Sequence, residues 1–501
     1  MADPTEQQVA GSPGTSVTQP AAGGRPRVSD GLILTLACVA QFMVVLDVSI
    51  VNVALPSIGR DLHYSATGLQ WVVNAYVLTF AGFLLLGGRA ADLFGRRRVF
   101  IAGLAVFTLA SLAGGVAETA GWLTTARAVQ GIGGALLSPA TLTIIVTTFP
   151  PERRARALGI WSAVAGAGGA AGSILGGVLT SALSWRWVLF VNIPIGVAAI
   201  AAAFAWLTEA ANARRDAEPA PLDIAGAVTV TAGLGALIYA IVGTETRPWG
   251  SARTLELLAA AVVLLVAFAV IEVRLARAPL VPLDIFRSRS VSGANAVMFL
   301  IGAAFFSMWY FLSLYLQNVL GYSALRAGMA FVPMAIMIIA GAQASSRLMP
   351  RIGVRPLLIA GTVLAAAGFA WMSRIEPHSS YLGSVLGPGC VIALALGILF
   401  TPLAAAATAG VPQNQAGLAS GVLNTSRQIG GSLGLAILAT VATDRSAALV
   451  SSGQQAALSA GYARAFELAA AACVVALAAS FAVPGLRRRG EPAAASSRSA
   501  A

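Results

Sequence analysis

The sequence predicts an all-α membrane protein that crosses the bilayer about fourteen times. Of its 501 residues, 57% are hydrophobic and only 10% are charged, and the mean hydropathy is +0.80. A water-soluble domain carries roughly 25% charged residues. The composition therefore excludes a water-soluble protein. Apolar runs of roughly 20 residues, the length of a helix that spans the hydrocarbon core, recur from end to end.

Hydropathy and length then place each span in order along the chain. Every run is bounded by short segments that contain arginine, glycine, proline or other polar residues. The predicted spans are 33–55, 69–87, 99–117, 121–148, 158–181, 187–207, 223–243, 254–273, 290–318, 327–345, 355–373, 381–404, 416–441 and 459–484.

Arginines supply an independent signal for the topology. The chain contains no lysine, so all 32 basic residues are arginine. They cluster after every second span, as in Arg96–Arg98, Arg153–Arg156 and Arg487–Arg489, whereas the intervening loops hold mostly single arginines. The positive-inside rule therefore predicts an even span count with both termini cytoplasmic. It also accounts for the net charge of +12 without nucleic acid as a partner.

A faint internal repeat predicts the domain organisation. The segment 88–98 after the second span is similar to 346–356 after the tenth, with Arg89, Gly95 and Arg97 matched by Arg347, Gly353 and Arg355. Duplicated halves around a site at the membrane midplane are typical of transporters. We expect a disordered N-terminal tail (1–30), a six-helix bundle (31–207), a linker with two extra helices (208–289), a second six-helix bundle (290–485) and a C-terminal tail (486–501).

Six motifs in order resemble one transporter family. Gly88–Arg98 is similar to the loop between the second and third helices of the major facilitator superfamily. Leu46–Pro56 is similar to the first-helix motif of its fourteen-helix drug:proton antiporter branch, the EmrB/QacA type. The remaining matches are 127–133, 185–196, 315–323 and 419–428. The resemblance spans roughly residues 30–485 and implies the major facilitator fold, with two six-helix bundles and two inserted helices.

Asp47 is the one clearly mid-span acid, and it lies in an otherwise apolar first span. A charge at that depth costs about 2.5–3.5 kcal/mol on insertion scales, which marks a functional residue. Arg127 lies about six residues inside its own span, as Asp47 does, so both are roughly 9 Å deep and are able to pair. Desolvation favours the protonated acid, whereas a nearby arginine favours the carboxylate. We predict that the pair couples transport to protons; a purely structural polar contact is the alternative.

Two further groups of residues carry roles that the resemblance implies. The loop after the second span is expected to act as a conformational latch between the halves. The alternative is a charge cluster that only sets the topology. The residues of this loop are Gly88, Arg89, Asp92, Gly95, Arg96 and Arg97. Glycines of the fifth span resemble the antiporter motif, although Ser173 stands where that motif usually has proline. We expect close helix packing at Gly168, Gly172, Gly176 and Gly177.

Polar and aromatic residues within spans are candidates for a substrate cavity. A membrane-buried arginine such as Arg427 usually faces a bundle interior or a wet cavity, and contacts between helices are the alternative. Aromatic residues also form interfacial belts. The candidates are Asn52, Trp71, Asn74, Gln130, Trp309, Tyr310, Asn424, Arg427 and Gln428.

These features predict a bacterial inner-membrane pump that exports lipophilic drugs, antibiotics or natural products in exchange for protons. We expect lipids, protons and a neutral or singly charged substrate as partners, no cofactor beyond the proton motive force, and a monomer. No convergent catalytic or metal-binding constellation indicates an enzyme, and without lysine there is no P-loop. The alternatives are a proton-coupled nutrient importer and a non-transporting membrane receptor.

Overall fold

The computed structural model describes residues 29–207, 222–244, 247–276, 279–281, 283–412 and 415–484. The predicted N-terminal tail up to residue 28, the first part of the predicted linker (208–221) and the predicted C-terminal tail lie outside these ranges. The described residues form sixteen α-helices and contain no strand. The all-α class is therefore confirmed.

The first nine helices comprise the first half of the chain and the insert. Their bounds are α1 Asp30–Asp61, α2 Trp71–Phe94, α3 Arg96–Gly115, α4 Ala120–Thr148, α5 Pro151–Ala182, α6 Trp187–Phe190, α7 Asn192–Trp206, α8 Ile224–Gly243 and α9 Ala252–Val270. The remaining seven are α10 Arg289–Leu314, α11 Ala324–Ala330, α12 Val332–Ile352, α13 Val354–Met372, α14 Gly387–Thr408, α15 Ala416–Ala448 and α16 Gln454–Ala482. Wider π-helical turns extend α9 and α10 and precede α14.

Each predicted span overlaps one helix or two consecutive helices, but not every helix is equally apolar. Within the described ranges, twelve helices are long and apolar enough to cross a membrane by composition alone. Two long helices, α5 and α15, fall outside that set. Helix α5 is apolar over the shorter segment Ala167–Ala182. In α15, the polar side chains of Asn424, Arg427 and Gln428 lower the hydropathy. The structure therefore supports an all-helical membrane fold with twelve clear spans.

The helices pack as two bundles. Helices α1–α7 contact chiefly one another, with α1 against α5 and α4 against both α2 and α3. Helices α10 and α12–α16 do likewise, with α10 against α15 and α14 against both α12 and α13, whereas the short α11 contacts chiefly α5 of the first bundle. The inserted helix α8 touches α2 of one bundle and α15 of the other, whereas α9 packs mainly on α8.

Matched glycines support the internal repeat seen in the sequence. Gly95 separates α2 from α3 with φ of 91°, and Gly353 separates α12 from α13 with φ of 86°. A positive φ of this kind is readily adopted only by glycine. The two loops thus turn in the same way at corresponding points of the two bundles.

Two predicted spans are each built from a short and a long helix. The sixth is broken at Val191, between α6 and α7, and the tenth at Phe331, between α11 and α12. Pro194 and Pro333 lie in the first turns of the second pieces. Proline has no amide hydrogen and cannot donate to the hydrogen-bond ladder of a preceding helix, which favours a break at both places.

Candidate functional site

A buried polar network surrounds Asp47 at the centre of the first bundle. The Asp47 side chain is fully buried, and its Oδ2 accepts a hydrogen bond from Arg127 Nη1 at 2.5 Å. Its Oδ1 accepts from Gln130 Nε2 at 2.8 Å and from Asn192 Nδ2 at 3.0 Å. The carboxylate thus receives three donors from α4 and α7. The structure brings together the predicted pair of Asp47 and Arg127.

Arg127 is held by α2 as well as by Asp47. Its Nε donates to the carbonyl oxygen of Val72 at 3.1 Å, and its Nη1 also donates to Gln130 Oε1 at 2.7 Å. Residues three apart share one face of a helix, so α4 presents Arg127 and Gln130 to Asp47 together. The guanidinium lies 4.4 Å from the ring centroid of Tyr76, a cation–π distance. The buried charge is therefore compensated on several sides.

Asn192 belongs to the network, although the sequence prediction did not select it. Its Nδ2 also donates to Ser111 Oγ at 3.1 Å, and that hydroxyl donates to the carbonyl oxygen of Leu189 at 2.8 Å. The signal available in the sequence is a polar amide within the predicted span 187–207 and inside the motif 185–196. Through Asn192 and Ser111 the network links α1 to the broken α6–α7 segment.

A cavity of about 330 Å³ lies between the two bundles. Helix α1 lines one side with Val44, Val45 and Val48, while Asp47 points away into the first bundle. Opposite lie residues of α10, α12, α14 and α15, including the aromatic residues Phe305, Phe306, Trp309, Phe331 and Phe400. The cavity is thus predominantly apolar and is built from both halves of the chain.

The predicted cavity residues divide into two groups. Five of them line the cavity: Asn52, Trp309, Asn424, Arg427 and Gln428. The other four lie elsewhere. Gln130 contacts Asp47; Trp71 packs against Tyr239 of α8; Asn74 accepts a hydrogen bond from Ser432 of α15; and Tyr310 is buried beside Phe311.

The glycines of α5 lie at two close helix contacts. A Cβ on Gly168, Gly172 or Gly176 would collide with α1, for example 2.7 Å from the carbonyl oxygen of Ile50 at Gly176. A Cβ on Gly177 would instead lie 2.7 Å from Leu325 Cα of α11, in the other bundle. Ser173, in place of proline, leaves α5 continuous from Pro151 to Ala182. These glycines therefore permit α5 to pack closely on both bundles.

The bundles also meet through hydrogen bonds at the end where α1 terminates. Ser313 Oγ donates to the carbonyl oxygen of Asn52 at 2.7 Å, and Gln317 Nε2 donates to that of Val53 at 3.0 Å. The amide of Leu325 donates to Ser181 Oγ at 3.1 Å. We call these contacts, together with Gly177 against α11, the seam.

The loop predicted to latch the halves makes its described contacts within the first bundle. Gly88 and Arg89 are in the last turns of α2, and Gly95 forms the turn. Arg96 donates to Thr147 of α4, and Arg97 Nη2 donates to the carbonyl oxygen of Phe204 of α7 at 3.1 Å. The side chain of Asp92 lies outside the described residues. These contacts join α3 to α4 and α7.

No metal centre is found among the described residues. They contain no group of three or more His, Cys, Asp or Glu side chains placed to hold an ion. Cys38, Cys390 and Cys473 are free thiols. The buried polar network and the apolar cavity are therefore the two features that carry functional information.

Comparison with protein families gives one broad match. A model of the Major Facilitator Superfamily matches residues 37–435, which include α1 to most of α15 and hence both bundles. The matched range contains Asp47, Arg127, the seam and the cavity.

Several curated proteins are similar over most of their length. "Cephamycin export protein CmcT" of Amycolatopsis lactamdurans is 48% identical over 410 residues, 81% of this chain and 84% of that protein. "Puromycin resistance protein pur8" of Streptomyces alboniger is 42% identical over 430 residues, 85% and 84% of the two chains. The "Tetracenomycin C resistance and export protein" of Streptomyces glaucescens is 36% identical over 430 residues, 85% and 78%.

Solved structures show the same fold at low sequence identity. A bacterial homologue of the human lysosomal transporter Spinster, inward-facing and unoccupied, has a TM-score of 0.63 and 17% identity, with 91% of this chain and 97% of that chain covered. A peptide transporter, POT, in complex with sulfate has a TM-score of 0.63 and 15% identity, with 89% and 93% covered.

Proposed function

Because this chain belongs to the Major Facilitator Superfamily of membrane transporters, we propose that it exports lipophilic antibiotics or related natural products from a bacterial cell in exchange for protons. The relatives named as export or resistance proteins for cephamycin, puromycin and tetracenomycin C support the export direction and the substrate class. The apolar cavity between the bundles supports a lipophilic cargo.

The observation that carries proton coupling is the buried carboxylate of Asp47 with its three donors. Such contacts suit an ionised carboxylate, which only accepts hydrogen bonds. A proton on Oδ1 or Oδ2 would neutralise the carboxylate and leave Arg127 without its counter-charge. Because Asp47 is fully buried, the proton reaches it only when the packing around α1 changes. Protonation is therefore tied to movement of the helix that also lines the cavity.

The seam is the set of contacts that would open and close during the transport cycle. We assign the end where α1 terminates to the outer face of the membrane, because the arginine-rich loops lie at the other end. In the described conformation the seam closes the outer side. Release of substrate outward requires these contacts to part, and rocking of one bundle against the other achieves this. Helix α1 contributes to the seam through the carbonyls of Asn52 and Val53, and it also carries Asp47. It therefore connects the proton site to the seam.

One proton per cycle supplies enough energy for export. Moving one charge across 100 mV releases about 2.3 kcal/mol. At about 1.4 kcal/mol per decade, this sustains roughly a fifty-fold concentration gradient. A single carboxylate at Asp47 is therefore a sufficient carrier.

We further propose that α5 and α15 also cross the bilayer, which gives fourteen spans, a bacterial plasma-membrane location and cytoplasmic termini. Helix α5 packs on α1 and exposes the apolar side chains of Ile160, Leu175 and Val178, as a lipid-facing helix does. Helix α15 packs on α10, α16 and α2. Polar side chains of a membrane helix usually face the bundle interior, so the polar content of α15 fits a helix inside a transmembrane bundle.

Transport by the purified protein in proteoliposomes tests this proposal. With an imposed pH gradient, we expect wild-type protein to move cephamycin or tetracenomycin C against its concentration gradient. The variant Asp47→Asn is expected to lose gradient-driven flux while it retains substrate binding. Asp444→Asn is the matched control, because Asp444 lies exposed on α15.

Two results would contradict the proposal. Flux that follows the pH gradient undiminished in Asp47→Asn, with Asp444→Asn equally active, would remove Asp47 from proton coupling. Gradient-driven accumulation of a sugar or amino acid, with no flux of either antibiotic, would instead identify a nutrient importer.

A further inference from the structure

Arg427 is a cation with an incomplete set of partners at the wall of the cavity. It lies on α15, half-buried, and its guanidinium is 5.8 Å from the ring centroid of Phe400. Its Nη2 donates to Asn424 Oδ1 at 2.8 Å, but its buried Nε has no hydrogen-bond partner. Arg127, whose side chain is buried, has a carboxylate, an amide and a carbonyl as partners. Arg127 therefore has a counter-charge, the carboxylate of Asp47, whereas Arg427 has a neutral amide as its hydrogen-bond partner.

The neighbouring Gln428 is also unsatisfied. Its side chain is 4% exposed and its Oε1 is buried without a hydrogen-bond partner. The two ends of a glutamine amide are assigned by their hydrogen bonds, so rotation by 180° would place an NH₂ donor at this position. Arg427, Asn424 and Gln428 all line the cavity. Together they form a polar patch on an otherwise apolar wall.

The charge of the cavity is positive. Among the described lining residues there is no acidic side chain, and Arg427 is the one charged group. Asp47 is sealed inside the first bundle and bonded to Arg127, so it does not compensate Arg427. An unpaired cation in an apolar site is costly, and the planar guanidinium is suited to bind a carboxylate. A negatively charged ligand would supply the missing partner.

We propose that the cavity selects amphiphilic anions: compounds whose carboxylate or other single anionic group binds Arg427 while an apolar body packs on the aromatic side chains of α10 and on Phe331. Trp309 and Phe331, whose ring centroids lie 4.9 Å apart, form part of that apolar surface. This inference rests on the proposed export function for its biological meaning, and it narrows the expected neutral or singly charged substrates to singly charged anions.

Equilibrium dialysis of the full-length protein in lipid nanodiscs tests the inference without any gradient. The probes are 1-pyrenebutyrate and its uncharged amide, with empty nanodiscs as the blank for partitioning into lipid. A hydrogen-bonded charge contributes about 1.5–3 kcal/mol, or roughly ten- to hundredfold in affinity. We expect wild-type protein to bind the carboxylate at least about tenfold more tightly than the amide.

Variants separate a ligand contact from a structural role. Arg427→Gln is expected to remove the preference for the carboxylate and to leave the affinity for the amide within about threefold. Arg427→Lys keeps the charge but not the planar fork, and is expected to retain part of the preference. Arg374→Gln, an exposed arginine in the loop after α13, is the control for loss of one positive charge.

The outcomes are distinct. Equal wild-type affinities for the carboxylate and the amide would overturn the inference, and this result requires no variant to fold. An equal loss of affinity for both probes in Arg427→Gln would show that the arginine only supports the packing. A clear carboxylate preference together with no gradient-driven transport would uphold the anion site and contradict the proposed export function.

Discussion

At the scale of single residues, the protein buries two arginines in different ways. Arg127 is neutralised by Asp47 and fixed by Gln130 and by the carbonyl of Val72. Arg427 faces a cavity with only an amide oxygen as partner. A buried charge without a partner destabilises a protein strongly. The first arrangement suits a site that holds or releases a proton, and the second suits a site that awaits an anion.

The pairing of Asp47 and Arg127 predicts non-additive effects on stability. Asp47→Asn leaves a buried, unpaired guanidinium, and Arg127→Gln leaves an unpaired carboxylate, so each is expected to cost about 3–5 kcal/mol. The double variant removes both charges and is expected to unfold at a higher temperature than either single variant. The measurement is the thermal unfolding midpoint of purified protein in detergent.

The control for this comparison of single and double variants is a solvent-exposed ion pair. Arg464 Nη1 and Glu467 Oε2 are 2.7 Å apart on α16, and both side chains are about half exposed. Exposed pairs contribute little, so Arg464→Gln and Glu467→Gln are expected to shift the midpoint far less. Additive losses at Asp47 and Arg127 would mean that their contact contributes no coupling energy.

Asn192 is predicted to tune proton coupling through Asp47. Asn192→Ala removes the donor to Asp47 Oδ1 and the contact with Ser111, which weakens the hold on the ionised carboxylate by about 1–3 kcal/mol. We therefore expect pH-gradient-driven flux in proteoliposomes to fall, while substrate exchange in the absence of a gradient is retained. The ratio of the two fluxes measures this loss of coupling.

Ser290→Ala is the control for that variant, because Ser290 is buried and donates a hydrogen bond, but to a carbonyl of α14 far from Asp47 in the chain. It is expected to leave the ratio of gradient-driven flux to exchange unchanged. The wild-type ratio in Asn192→Ala would show that Asn192 supports the fold without influencing Asp47.

The sequence was informative about the charged residues and less so about their neighbours. Asp47 and Arg127 were selected because a charge in an apolar span is conspicuous, and their similar depth indicated the pairing. Asn192 and Ser111 are common side chains whose role depends on which helices meet, and hydropathy does not report that. Trp71 and Asn74 were expected at the cavity, but the rotation of α2 directs them towards α8 and α15.

At the scale of elements, helix α5 determines how closely the two bundles approach. Three of its glycines lie against α1 and Gly177 lies against α11. Glycine every fourth residue predicted close packing, and the structure adds that the packing has two partners. Which helix faces each glycine follows from the tertiary arrangement, so the sequence alone did not indicate that Gly177 belongs to the seam.

Substitution of Gly177 is predicted to open the seam. A valine there would collide with the α11 backbone, and overpacking costs about 1–3 kcal/mol. This cost is relieved when the bundles separate at that end, so the open population is expected to rise about five- to hundredfold. In a variant with the three native cysteines replaced by alanine, faster labelling of Asn52→Cys by a membrane-impermeant maleimide measures the opening.

The matched control is Gly159→Val on the same helix, because a Cβ at Gly159 has no atom within 4 Å. It carries the same change in helix propensity and is expected to leave the labelling rate unchanged. Equal acceleration by both substitutions would indicate a general weakening of α5, and no acceleration by Gly177→Val would mean that the seam does not control access to Asn52.

Helix ends and breaks show where the sequence prediction was limited. Hydropathy gave 33–55 for the first span, but α1 extends from Asp30 to Asp61, because polar residues continue the helix beyond its apolar centre. The breaks at Val191 and Phe331 depend on Pro194 and Pro333, whereas Pro56, Pro139 and Pro402 lie inside continuous helices. Proline marks a candidate break, and the surrounding packing determines whether the helix stops.

At the scale of the whole molecule, the inserted helices join the two bundles. Leu234, Ile238 and Val242 of α8 form one apolar cluster with Leu78 of α2 and Ala436 of α15. Helix α9 instead exposes Val262, Val263 and Val266, as expected for a helix that faces lipid. The sequence predicted an extra pair of helices between the halves but not where they pack, because both are apolar along their whole length.

The number of membrane crossings depends on whether α5 and α15 span the bilayer. If both cross, the loops that follow them, near Ala182 and Ser451, lie outside the cell. If either remains on one side, its following loop stays cytoplasmic, although the number of spans can remain even. Locating the two termini therefore does not distinguish twelve spans from fourteen, whereas these two loops do.

Single cysteines at Ala182 and Ser451 test the crossing directly, since both residues are exposed. In a chain without the three native cysteines, we expect both to react with an impermeant maleimide in intact cells. Phe94→Cys, at the exposed end of α2, is expected to react only after permeabilisation, because Arg96–Arg98 beside it are retained inside. Protection of Ala182→Cys or Ser451→Cys until permeabilisation would show that the preceding helix does not cross and would reduce the count of spans.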